Sequence, residues 1–362
     1  MKRFAAILLL AAFFITPVYT LATTPPDAVP TTLSGVEDYL RRSLPGAQQL
    51  RMRVLDLRVA MGQTEQRGIF YTPQGLIKDL KVTAGQSVAN SNTREIIRFA
   101  ERHQKPVYTM LIPTACAIKQ QWVPQYAPLY NQKNFIEDTY RNFAGKVTVI
   151  DVYPTLFANR ENYVFYNTDS NLTSYGGYLL YEAAAERMKL TPYPLDQFEQ
   201  RYLVHDYYGD LYQVWPQRTV QGDVLTTYRF SDASIGHIVT HPQAKPPASY
   251  RTLYPAFKAD TASPYSLYLG GYSPVIEIDT VGHSHSARLL VFGDRTALSY
   301  LPFLSLHYAH ITFIDPAALD KQQLAQLQVK EYDQVFFAYS LETYLNTSAP
   351  KKVADIPAGE KQ

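Results

Sequence analysis

Apolar positions along this chain fall into two alternating rhythms, and the alternation predicts a parallel sheet covered by helices. Ile96, Ile97 and Phe99 lie at helical spacing ahead of the unbroken run Val107 to Ile112. Phe135, Ile136 and Tyr140 do the same ahead of Val147 to Val152. Short apolar runs rich in β-branched residues mark strands buried on both faces, whereas recurrence at three and four residues marks one face of a helix. The rhythm returns with a strand at Leu289 to Phe292, a helix from about Thr296 to Leu306, a strand at Ile311 to Ile314, a helix around Leu324 to Leu327 and a strand at Gln334 to Tyr339. Strand and helix in alternation build βαβ units, so the expected class is α/β.

Elsewhere the pattern changes. Residues 1–22 open with Lys2 and Arg3 and continue in an apolar stretch, which reads as an export signal, either cleaved or retained as a membrane anchor. Residues 23–33 are rich in proline and threonine and read as a linker. The domain is expected over 34–347, starting with helices interrupted at Pro45 and Gly46. Within it, 191–286 is aromatic and turn-rich with strands around Val220 to Phe230 and Val275 to Ile278, and is read as an insertion decorating the core. The charged, proline-containing tail 348–362 is expected to fray.

With 46% hydrophobic residues the chain can bury a large core, and 34 basic against 32 acidic side chains leave no electrostatic footprint for nucleic acid. Its single cysteine, Cys116, excludes an intrachain disulfide, so an exported product must fold without one. The 29 tyrosines fit cores and interfaces first and sugar stacking second.

Two segments carry chemistry. In the first, Phe165 to Gly177, Thr173 or Ser174 caps a helix running to about Leu190, and Asp169 and Asn171 lie just ahead of the cap. In the second, the strand Leu289 to Phe292 passes through Gly293 and Asp294 straight into a helix, with Arg295 at the turn. A serine at such a turn would have its Oγ exposed beside backbone N–H groups able to hold an oxyanion. A cation there sits at the unfavourable end of the helix dipole, at a cost of about 0.3–1 kcal/mol unless an anion compensates. Asp169 is the candidate anion, and an ion pair with Arg295, or the two groups poised around a bound anion, is the expected arrangement. The spacing of His283 and His285 would suit one face of a strand, but no third ligand is evident, and a solvated turn is the expectation. His307 and His310 are expected to cap a helix end. No metal or cofactor pattern is read.

On these residues the chain resembles the DHHW-motif family of exported bacterial proteins, related to the alginate O-acetyltransferase-like branch of the SGNH hydrolases. The resemblance spans most of 36–345. It includes Tyr39 to Arg51, Gly68-Ile69-Phe70-Tyr71, Pro106 to Thr114, Val149 to Tyr153, Tyr208-Gly209-Asp210-Leu211-Tyr212, and Leu301 to Leu304 ahead of Ile314-Asp315-Pro316. It implies an SGNH-like sheet and a Ser-His-Asp triad built from an acid-x-histidine-tryptophan motif and a Gly-Asp-Ser or Lys-Asp-Ser turn. Asp169, Asn171 and Arg295 stand at the triad positions, and Leu172 stands where the tryptophan would be. Asparagine is no base near neutral pH and a guanidinium is neither nucleophile nor base, so only the acid is kept and the inherited mechanism is expected to fail. Thr296 and Ser299 are weighed as replacement nucleophiles and read as helix cap and helix surface. The first reading is therefore a catalytically degenerate envelope protein, accessory to polysaccharide acetylation, whose cleft binds glycan or an anion through Arg295, Asp294, Tyr166 and Tyr175. Its implied partners are an envelope polysaccharide, a membrane acyl-transfer protein and, if the N-terminal segment is retained, the membrane. The rivals are an active O-acetyltransferase or acetylesterase with a rearranged site, and a structural interaction protein.

Overall fold

A computed structural model describes residues 15, 17–20, 22, 47–125, 127–143, 145–282 and 284–357. The export segment is described only at a few positions, while the linker, the start of the domain and His283 fall outside. Among the described residues no helix is long and apolar enough to cross a membrane. The chain divides into two compact units. The smaller contains helix α1 (Ala47–Ala60) and residues Trp215–Thr219, tied by Arg218 Nε donating to Asp56 at 2.7 Å.

The larger unit holds the sheet. Its helices are α2 (Gln86–His103), α3 (Ala115–Ile118), α4 (Gln132–Phe143), α5 (Tyr153–Ala158), α6 (Ser174–Arg187), α7 (Asp210–Val214), α8 (Ala297–Leu304), α9 (Lys321–Ala325) and α10 (Leu341–Asn346). A three-stranded antiparallel sheet comprises β1 (Glu65–Gln66), β2 (Ile69–Thr72) and β3 (Gly75–Lys78). The main strands are β4 (Val107–Ile112), β5 (Thr148–Ile150), β8 (Gly236–His241), β9 (Ala248–Tyr250), β10 (Val275–Val281), β11 (Arg288–Gly293), β12 (His310–Ile314) and β13 (Gln334–Ser340), in the order β5-β4-β13-β11-β12-β10-β8-β9. The first five are mutually parallel and the last three antiparallel. A two-stranded ribbon pairs β6 (Phe198–Tyr207) with β7 (Asp223–Phe230).

The α/β expectation holds for physical reasons visible strand by strand. Every residue of β4 is buried, and Leu289 to Phe292 in β11 are wholly so, as strands covered on both faces must be. Helices α2 and α4 turn Ile96, Phe99, Phe135 and Ile136 into that core. Gly177 lets α6 approach α8, since a Cβ there would lie 2.0 Å from the Ser299 carbonyl oxygen.

Three features depart from the sequence reading. β8, β9 and β10 extend the main sheet, so these three strands of 191–286 belong to the core sheet rather than to a decoration. Pro350–Asp355 winds into a 3-10 turn with Val353 fully buried, so the start of the expected frayed tail is packed. Buried His307 meets the Tyr181 hydroxyl at 2.8 Å and His310 meets Asp279 at 2.7 Å, side-chain partnerships in place of helix capping.

Candidate functional site

Parallel strands end together, and in this fold their carboxyl ends frame a cleft of about 430 Å³. Register sets Ser340 of β13 opposite Ile112 of β4, and Gly293 of β11 opposite Ala338 of β13. Residues just beyond those ends, Pro113, Thr114, Asp294, Arg295 and Thr296, therefore line one opening. The segment 169–172 and the start of α7 close it from the other side. The cleft thus brings together Asp169 and Asn171 with Asp294 and Arg295, from two segments more than a hundred residues apart in sequence. Among the described residues no histidine lines it.

Local hydrogen bonding fixes the 165–173 segment. Thr173 caps α6 through its hydroxyl, which accepts from the Gly176 N–H at 3.1 Å. Asp169, almost fully buried, accepts at Oδ1 from the Asn171 backbone N–H (2.8 Å) and side-chain amide (2.5 Å). At Oδ2 it accepts from the Tyr207 hydroxyl (2.5 Å) and the Asp210 N–H (3.3 Å). Gly209 permits this approach, because a Cβ there would fall 2.2 Å from the Asp169 carboxylate. Burial first, then the charge of Asp169, pushes the Tyr207 phenol far above its ordinary value, so it acts as a donor. Burial, followed by Asp169, likewise raises Asp210, which accepts from the Ser170 N–H and hydroxyl.

Beneath this loop Asp223 is the anchor. One carboxylate oxygen accepts from the Tyr163 hydroxyl and the Asn167 N–H (2.8 Å), the other from the Thr168 N–H (2.8 Å) and hydroxyl (2.5 Å). Nearby Lys119 is only 2% exposed and lies 3.9 Å from the Trp122 ring centroid. Burial pushes its ammonium down to about 8, while Asp223 and Glu161 oppose the shift. A base with a depressed folded value loses stability while charged, so stability should rise with pH from about 8 towards the unfolded lysine value of about 10.4. Thermal midpoints at pH 8 and at about 9.5 are expected to rise in the native chain relative to Lys119→Met; parallel curves would refute the assignment.

On the opposite wall the Asp294 carboxylate accepts from the Thr296 N–H (3.0 Å) and hydroxyl (2.5 Å), and from the Ser340 N–H (2.9 Å) and hydroxyl (2.7 Å). Its negative charge at the start of α8 offsets the cation beside it. Arg295 is exposed and lies 5.2 Å from the Tyr265 ring centroid. Of the two arrangements expected for Arg295 and Asp169, the ion pair does not form, because both oxygens of Asp169 are occupied by its own loop, Tyr207 and α7, while both residues line the one cleft. Among the described residues the hydroxyl of buried Tyr265 has no hydrogen-bond partner, and burial, ahead of the charges of Asp169 and Arg295, keeps the phenol protonated. Lys78, also in the lining, pairs with Glu342 at 2.6 Å.

Two expected ligand groups lie elsewhere. Tyr166 is buried among Tyr163, Tyr207 and Tyr265 with its hydroxyl 3.0 Å from that of Tyr268, and Tyr175 donates to Asn159 at 3.0 Å. Neither lines the cleft; aromatic packing claims the first and a loop amide the second. The residues that sequence reasoning missed are Tyr207, Ser340, Lys78 and Asp223, which carry no local motif; Asp210 lay within a quoted motif without a role.

Chemically the cleft offers hydroxyls and carboxylates but, among the described residues, no imidazole. Thr296 and Ser340 both donate to a carboxylate that already accepts four hydrogen bonds, and Ser299 donates to the Thr296 carbonyl at 2.8 Å. The hydroxyls of Thr296 and Ser340 thus face the Asp294 carboxylate and not an imidazole, which a Ser-His-Asp arrangement would require. Among the described residues no group of three ligating side chains could hold a metal.

Residues 86–314 match the family described as DHHW protein. No curated protein matches the chain. Among solved structures, a DHHW family protein of Eubacterium siraeum is similar over 80% of this chain and 98% of its own, with TM-score 0.65 and 18% identity. PatB1 of Bacillus cereus, solved with a sulfonyl adduct, is similar over 78% and 96%, with TM-score 0.62 and 18% identity. The O-acetyltransferase domain of AlgJ of Pseudomonas putida is similar over 80% and 100%, with TM-score 0.51 and 15% identity. These likenesses establish a shared fold.

Proposed function

The chain belongs to the DHHW family, and on that premise we propose that it is an exported, SGNH-like cell-envelope protein whose cleft binds rather than turns over its ligand, as an accessory to polysaccharide acetylation. The observation that carries the reading is the pairing of two replacements in one cleft. Arg295 occupies the strand-turn-helix position suited to a nucleophile, and Asn171 spends its amide on Asp169, where an imidazole would be needed. A fold shared with an O-acetyltransferase domain supplies the acetylation context. The open cleft, with Arg295 in no ion pair among the described residues, supports ligand binding over a filled, purely structural cavity. An envelope polysaccharide and a membrane acyl-transfer protein are the partners this reading implies.

The purified chain is expected to hydrolyse p-nitrophenyl acetate at the buffer rate. Turnover that survives purification and vanishes in Thr296→Ala, Ser299→Ala or Ser340→Ala would instead establish an active, rearranged site.

A further inference from the structure

We propose that a second pocket, a groove of about 570 Å³ between the β6–β7 ribbon, the start of β8 and residues 251–254, binds a carboxylate-bearing saccharide. Its floor is apolar: Phe198, Tyr228, Leu253 and Tyr254 are each only 8% exposed. The Tyr254 hydroxyl is spent on the Tyr228 carbonyl at 3.1 Å, so the floor offers carbon to the C–H face of a sugar ring.

The rim is charged and leans positive. Three guanidiniums, Arg201, Arg229 and Arg251, face two carboxylates, Glu199 and Asp232. Glu199 pairs with Arg201 at 2.9 Å and stands across the ribbon from Arg229, while Asp232 accepts from the Ser234 N–H and hydroxyl. Among the described residues neither Arg229 nor Arg251 forms an ion pair. A planar guanidinium fork matches a carboxylate, and the surplus of one positive charge fits one acidic group. A neutral sugar would leave the guanidiniums unmatched, and a free phosphate would gain nothing from the floor.

No residue lining this groove lines the cleft. Buried rings separate them: Tyr254 contacts Tyr268 at 6.1 Å between centroids, and Tyr268 contacts Tyr265 at 4.9 Å, beneath Arg295. The groove therefore stands independently of the catalytic reading of the cleft.

Calorimetric titration of the full chain with tri-galacturonic acid, its methyl ester and inorganic phosphate tests the assignment. The acid should bind, the ester and phosphate each at least about tenfold more weakly, and the Arg229→Gln/Arg251→Gln double variant should lose about tenfold for the acid with an unchanged thermal midpoint. Absence of binding by the acid, equal binding by the ester or phosphate, or full affinity in the double variant would overturn it. Because both arginines are exposed, that variant should fold; a lowered midpoint would move the test to Arg251→Gln alone, read against the same outcomes.

Discussion

Asp223→Ala is expected to destabilise the folded chain by about 3–5 kcal/mol, the range for removing one partner from a buried, charge-assisted network. Four donors converge on this carboxylate, from Tyr163, Asn167 and both the N–H and hydroxyl of Thr168. The side chain is 2% exposed, so water cannot take over those bonds without opening the loop. Asp223→Asn should recover little, since its amide would turn donors against donors. The loss should also reach the cleft, because the anchored backbone leads directly into Asp169. Denaturant unfolding measures it; a change below about 1 kcal/mol would mean that the network does not hold the loop.

How far such a site can be read in advance depends on where its forces originate. The core strands were legible because burial on both faces writes itself as unbroken apolar runs, as at Val107 to Ile112. The Thr173 cap was legible because capping is a local bond between neighbours in sequence. β6 carried no such mark: most of it is exposed, and it is held by register with β7, from Phe198 opposite Phe230 to Tyr207 opposite Asp223. That strand delivers Tyr207 to Asp169, so the missing strand and the missing site residue are one omission. The ion-pair form of the Arg295–Asp169 expectation is not adopted, for a local reason. Asp169 bonds the backbone N–H two residues on, a turn that competes with any distant partner for the same lone pairs. Arg295 is left lying against Tyr265 instead.

Restoring Arg295→Ser together with Asn171→His carries the largest expected gain of function. The Asn171 amide already meets Asp169 Oδ1 at 2.5 Å, where an imidazole Nδ1–H would sit, and Tyr207 and the Asp210 N–H would continue to hold the acid. The turn at 295 would regain a hydroxyl facing the same cleft, and loss of the guanidinium would vacate the space above Tyr265. Single-member losses from such triads cost several orders of magnitude, so a gain of at least about 100-fold over the native chain is the conservative expectation, with either single substitution giving little. The measurement is side-by-side p-nitrophenyl acetate hydrolysis by the native chain and the double variant, with covalent labelling at position 295 by a sulfonyl fluoride. The native chain at the buffer rate, with turnover and labelling acquired by the double variant, is the predicted result; a native chain that turns over as fast as the double variant would contradict the account.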